Sequence, residues 1–142
     1  MLRQFLVGAG VSACNIVIHA LVMALVMRVT RAVSAKHTWH PWLFLIVIMI
    51  AVVSLLMTAH AFEVVVWSLA YAIVNAAPDN ADLVYFAFVN YTTLGYGDIT
   101  PLASWRLLGP ITAMSGVLLF GWSTAVIFEV LRRAMMKTEM LS

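Results

Sequence analysis

The chain has 142 residues, of which 64% are hydrophobic and 10% charged, and its formal net charge is +2. A soluble domain carries about a quarter charged residues, so this composition excludes a water-soluble globule and makes lipid the surrounding solvent. So small a charge, with the basic residues beside apolar runs, excludes a nucleic-acid partner, and the single Cys14 excludes an intrachain disulfide.

The first apolar run covers residues 5–27. It exceeds the hydrophobic stretch of a signal peptide and is followed by Arg28 and Arg31 rather than a cleavage site, so it is expected to be a retained transmembrane helix. Gly8, Gly10, Ser12 and Ala13 would let a neighbouring helix come close. Residues 28–41 form the first polar connection, with Arg28, Arg31, Lys36, His37 and His40; the positive-inside rule assigns it to the cytoplasm. Trp39 and Trp42 stand where an interfacial aromatic belt belongs.

The second run, residues 42–76, contains the single formal charge Glu63 and one histidine, His60. As one helix it is about 52 Å long, against a hydrocarbon core of about 30 Å. Pro78-Asp79-Asn80 reads as a turn. Asn80 is expected to cap a short helix over residues 81–91, with Asp82 in its first turn. That helix is too short to span. The last run covers residues 107–131, with Trp105 and Arg106 at one end and Arg132, Arg133 and Lys137 at the other. Pro110 is tolerable in its first turns. With both basic segments inside, two crossings join them, and the short helix with its following loop re-enters from outside. The N-terminus is then also outside, at the cost of Arg3.

Non-helical backbone at membrane depth survives only buried in protein or lining water. Here the short helix is followed by Thr92-Thr93-Leu94-Gly95-Tyr96-Gly97-Asp98. The alternating glycines permit left-handed backbone angles, and such a loop can turn successive carbonyl oxygens to one axis. Residues 91–101 resemble the pore signature of potassium channels, nearest to bacterial pore modules of two membrane helices with a re-entrant loop. Trp105-Arg106-Leu107 is similar to the family's Trp-Gly-Arg-Leu without its glycine, and Gly116 and Gly121 match the glycine pair of its inner helix. The resemblance covers residues 50–133.

The resemblance implies a selectivity filter in which Thr93, Leu94, Gly95 and Tyr96 present carbonyls to K+, the Thr93 hydroxyl completes the innermost site and Gly97 closes the loop. Leu94 stands where valine is commonest. Thr92 and Asp98 flank the filter, Asp98 as a brace or as negative potential at the mouth. Val89 is apolar where some relatives keep a buried carboxylate. The short helix would aim its negative C-terminal end at the cavity. Thr112, Ser115 and Ser123 are polar candidates for the cavity wall. Gly116 and Gly121 are hinge candidates, with close helix packing as the alternative. Glu129 would draw cations to the inner mouth or pair with Arg132 or Arg133.

His60 and Glu63 lie outside what the family explains. Ionisable residues inside a span are costly and face protein or water. Asn15 and His19 share one face of the first helix as His60 and Glu63 share one face of the second, so the two polar faces are expected to meet within the membrane. A structural polar contact, a proton sensor and a metal site of His19, His60 and Glu63 are the three readings of that cluster.

The expectation is therefore an all-α membrane protein: three transmembrane helices plus a re-entrant pore helix and filter, as a homotetramer around a central pore. Residues 1–40 form an extra helix with its basic cytoplasmic loop, and residues 41–142 the pore module. The function is passive potassium conduction, with K+ as permeant ion, no cofactor and no catalysis. The rivals are a non-conducting structural or regulatory membrane protein and an intramembrane metal-dependent enzyme or transporter. There is no nucleotide-binding glycine loop and no run of regularly spaced arginines. The expected place is a bacterial inner membrane, with the N-terminus outside and the C-terminus cytoplasmic.

Overall fold

In lipid every backbone N–H and C=O must find its partner within the segment. Apolar runs without helix breakers therefore fold as helices to their full length. The computed structural model describes residues 1–36 and 41–140, with side chains for 1–32 and 42–136. Its elements are α1 (Leu2–Lys36), α2 (Pro41–Val74), α3 (Leu83–Tyr91), a 3-10 turn (Ala103–Trp105) and α4 (Leu108–Met140). No strand occurs among the described residues. The stretches Leu2–Ala32, Trp42–Val74 and Ala103–Met136 are each long and apolar enough to cross a membrane. The protein is an all-α membrane protein.

α1 has 35 residues, α2 34 and α4 33. Two ends differ from the sequence expectation. α1 does not stop near residue 27, because nothing between there and Lys36 breaks a helix; Arg28 and Arg31 are exposed on its last turns. The expected basic connection is thus mostly helix, and His37, Trp39 and His40 lie outside the described residues, as does the Lys36 side chain. α4 likewise continues past residue 131. Glu129 pairs with Arg132 at 2.9 Å and with Arg133, three and four residues on, which supports the helix there. Pro110 falls in the first turn of α4, where its missing N–H costs nothing.

The chain between α2 and α3 turns on two left-handed asparagines. Asn75 (φ 50°) ends α2: its N–H bonds to the Ala72 carbonyl and the Ala76 N–H to that of Tyr71, at 3.3 and 3.0 Å, a Schellman cap with asparagine in the glycine position. Asn80 (φ 63°) is the second. It is not the cap of α3. Asp82 is, its carboxylate accepting from the amides of Val84 and Tyr85 at 3.1 and 3.0 Å. Asn80 is spent on the turn, and Asp82 therefore precedes the helix rather than lying in its first turn.

Two apolar clusters hold the bundle. One, at the α3 end, joins Val64, Trp67 and Tyr71 of α2 to Phe86 and Tyr91 of α3, Trp105, and Leu108 and Ile111 of α4. The other, at the opposite end, joins Met23 and Val26 of α1 to Phe44, Ile48, Val52 and Leu56 of α2 and to Val130 and Ala134 of α4. α1 packs along α4. A Cβ on Gly8 would stand 2.8 Å from two Ile111 side-chain carbons, so the close approach expected at Gly8 occurs, whereas Gly10 has nothing within 4 Å. Cys14 is exposed.

Candidate functional site

α3 ends on the loop that carries the seven-residue motif. Its last carbonyls need partners, and the loop's own amides supply them. Phe88 O accepts from the Thr92 amide and hydroxyl at 2.9 and 2.7 Å. Val89 O takes the amides of Leu94 and Gly95 at 3.0 and 3.3 Å, and Asn90 O that of Thr93 at 3.0 Å. The first half of the loop is thereby tied to the helix, and three of the carbonyls expected to face a cavity are engaged locally. The backbone is left-handed at Thr93 (φ 62°), Gly95 (φ 58°) and Gly97 (φ 79°). The glycines were legible. Thr93 was not: a β-branched residue pays for that region, and here the Asn90 hydrogen bond holds it. Residues 92–98 are all exposed in the single chain.

Asp98 is tied down at the far end. The Tyr85 hydroxyl donates to its Oδ2 at 2.7 Å, and the Ile99 amide to its Oδ1 at 3.0 Å. The hydroxyl of Tyr85 holds the Asp98 carboxyl below the usual carboxylate range. Tyr85, one turn into α3, carries no signal in the sequence for this role.

Behind the loop, Gly116 of α4 lies against the end of α3. A Cβ there would fall 2.0 Å from the Tyr91 carbonyl oxygen, whereas one on Gly121 would meet nothing within 4 Å. Gly116 is thus closely packed in this chain, and Gly121 is open. Thr112, Ser115 and Ser123 are buried within the chain rather than on an open wall. Thr112 donates to the Leu108 carbonyl at 2.8 Å and takes the Tyr71 hydroxyl at 2.6 Å. Past the loop, Arg3 of α1 sits 4.7 Å over the Trp105 ring, and Gln4 Oε1 accepts the Leu107 amide at 2.8 Å. The start of α1 is thus at the same end as the loop, and Arg3 has an aromatic partner there.

Asn15, His19, His60 and Glu63, the expected polar cluster, form one junction. Asn15 donates to the Glu63 carbonyl at 3.2 Å. His19 Nδ1 is 2.7 Å from Glu63 Oε1, and His60 Nδ1 is 2.9 Å from Oε2. Two further residues belong to it that sequence spacing did not indicate. The Tyr91 hydroxyl of α3 donates to Glu63 Oε2 and lies 2.9 Å from His60 Nδ1. Ser123 Oγ of α4 is 2.9 Å from His60 Nε2 and 3.3 Å from His19 Nε2. All four helices meet there, and Asn15, His19, Glu63 and Tyr91 are 0% exposed. The ligand atoms of His19, His60 and Glu63 lie within 4.8 Å of one another, which raises the metal reading. Two ligands of a tetrahedral zinc stand about 3.3 Å apart. The 2.7 and 2.9 Å separations here are those of proton-bridged pairs, and the ring nitrogens would have to draw back to admit an ion.

One comparison with known proteins returned a match. A family model described as an ion channel matches residues 59–133, a range that contains α3, the loop and most of α4. No curated protein and no solved structure matches the chain.

Proposed function

The chain belongs to the ion channel family, with a pore domain of the two-helix potassium-channel type, and from that we propose that it conducts potassium selectively as a homotetramer. The observation that carries the reading is the loop of residues 92–98, left-handed at alternate residues 93, 95 and 97 and anchored at both ends to α3. Alternation of backbone hand swings successive carbonyls to one side of the segment. In four copies the carbonyls of Thr93, Leu94, Gly95 and Tyr96, with the Thr93 hydroxyl, form rings of oxygen that replace the hydration shell of K+. Gly97 ends the series, and Asp98 fixes the outer end through Tyr85.

Assembly is part of the same reading. One loop cannot encircle an ion. Tyr96 is 68% and Leu94 54% exposed in the single chain, and side chains of that size fit a neighbouring copy better than water. Ions move passively down their gradient, and the groups described do no bond chemistry. Arg28, Arg31, Arg132 and Arg133 gather at the end remote from the loop, so the positive-inside rule makes that end cytoplasmic and places the start of α1 outside; a bacterial inner membrane remains the proposed location.

The test is potassium-driven flux into liposomes holding the purified protein, run against sodium, with Gly95→Ala as control. The expected result is potassium-selective flux that the substitution abolishes, since a Cβ at φ 58° strains the loop. Tetramers that pass no ion across a range of pH and voltage would transfer the reading to a non-conducting membrane protein.

A further inference from the structure

The junction of His19, His60, Glu63, Tyr91 and Ser123 has too few protons if every group is in its ordinary neutral or ionised form. Three groups lie within hydrogen-bond distance of the Glu63 carboxylate, His19 Nδ1, His60 Nδ1 and the Tyr91 hydroxyl, and an ionised carboxylate only accepts. Each ring therefore carries its proton on Nδ1, and with both rings neutral each Nε2 is an acceptor. Both Nε2 atoms face the same partner, Ser123 Oγ, at 2.9 and 3.3 Å. A hydroxyl has one proton to give. One of the two contacts would then set lone pair against lone pair. A second count gives the same answer. A carboxylate with two neutral imidazoles leaves one uncompensated negative charge in a site whose members are at most 8% exposed, and an uncompensated buried charge is strongly destabilising. One added proton removes both faults: one ring becomes imidazolium, its Nε2–H donates to Ser123, Ser123 donates to the other ring, and the net charge is zero.

The geometry points to a proton-binding site at the meeting of the four helices, whose occupancy sets the position of the pore helix α3. The titratable groups facing one another are His19 from α1, His60 and Glu63 from α2 and Tyr91 from α3; α4 contributes Ser123, with Trp122 and Phe120 as ring neighbours. The coupling runs through Tyr91. Its hydroxyl is held by Glu63, its carbonyl rests on Gly116, and it stands two residues before Thr93. Loss of the shared proton leaves the carboxylate uncompensated and Ser123 one hydrogen short, so raising the pH loosens the tie between α1, α4 and the base of the loop. α1 is then more than an added span: through Asn15 and His19 it completes the site.

The proton site stands on its own geometry, while its effect on flux rests on the conduction reading, and two measurements separate them. The first is a 15N spectrum of histidine-labelled full-length protein in lipid nanodiscs, followed from pH 5 to pH 9, with His19→Gln and His60→Gln for assignment. The expected result is one imidazolium shared by His19 and His60, lost from both rings in one coupled step and missing in Glu63→Gln. Two rings that stay neutral throughout, or that titrate independently, overturn the proposal, and so does a stoichiometric transition metal in the purified protein. The second is liposome flux over the same pH series. Flux of the unaltered protein is expected to fall as pH rises, with the fall moved to lower pH in Ser123→Ala, which removes the hydroxyl that requires the extra proton. This variant changes volume little and keeps the measurement available if Glu63→Gln does not fold. A conducting protein with a flat profile, or a Ser123→Ala profile that superimposes on it, overturns the coupling. Should the protein conduct nothing at any pH, the conduction reading fails and the 15N spectrum alone decides the proton site.

Discussion

At the scale of single residues the arrangement depends on a few atoms with no room to move. Gly116 is the clearest. A methyl group there would sit 2.0 Å from the Tyr91 carbonyl oxygen, which is backbone and cannot swing aside. Gly116→Ala is therefore expected to destabilise the protein by about 1–3 kcal/mol, read as a lower thermal midpoint in detergent, and to impair flux. Gly121→Ala meets nothing within 4 Å in the chain and is expected to be neutral or to gain about 0.5–1 kcal/mol of helix stability. Equal effects at the two glycines would show that Gly116 is not a packing contact. Tyr91→Phe keeps the ring in the apolar cluster but removes a donor to a buried carboxylate. It is expected to cost about 1–3 kcal/mol by the same thermal measurement, and a midpoint equal to the unaltered protein's would count against the Glu63–Tyr91 tie.

At the scale of elements, α3 is short, nine residues, and an isolated helix of that length does not hold in water. Its order comes from its two ends and its buried face. Asp82 caps one end with two amide hydrogen bonds, and the loop amides cap the other. Asp82→Ala is expected to cost about 1 kcal/mol, with faster amide exchange confined to the first turn of α3. Asn80→Ala acts on a different physical quantity, the left-handed angle of φ 63°, and should leave exchange in that turn less affected than Asp82→Ala does. Between α1 and α4 the contact is set by Gly8 on Ile111. Gly8→Leu is expected to lift the start of α1 from α4 and to break the Gln4 bond to the Leu107 amide. Increased exchange at that amide is the measurement that checks it.

At the scale of the molecule, the single chain leaves α4 with an apolar stripe at Met114, Val117, Leu118 and Phe128, all exposed at helical spacing, and the loop of residues 92–98 exposed as well. The proposed tetramer would cover both, and native mass spectrometry is expected to show four chains, with Tyr96→Ser weakening the assembly. The three spans, the short helix and the loop could be read directly from residue order, because hydropathy and helix breakers act locally: twenty apolar residues span wherever they occur, and alternate glycines permit left-handed backbone in any context. The polar faces Asn15–His19 and His60–Glu63 could be read as faces for the same reason. The helix ends could not, since Arg28 and Arg31 are as compatible with a last turn as with a loop, and Asn80 and Asp82 compete for one cap that only the path of the turn decides. Nor could the roles of Tyr85, Tyr91 and Ser123, which lie 13, 28 and 63 or more residues from their partners. Thus the residue order by itself determined a three-span membrane chain with a potassium-channel-type loop. Only the tertiary structure decided that Asn15 and His19 of α1, His60 and Glu63 of α2, Tyr91 of α3 and Ser123 of α4 meet at one point, because a carboxylate buried among apolar helices needs hydrogen-bond partners from the elements packed around it.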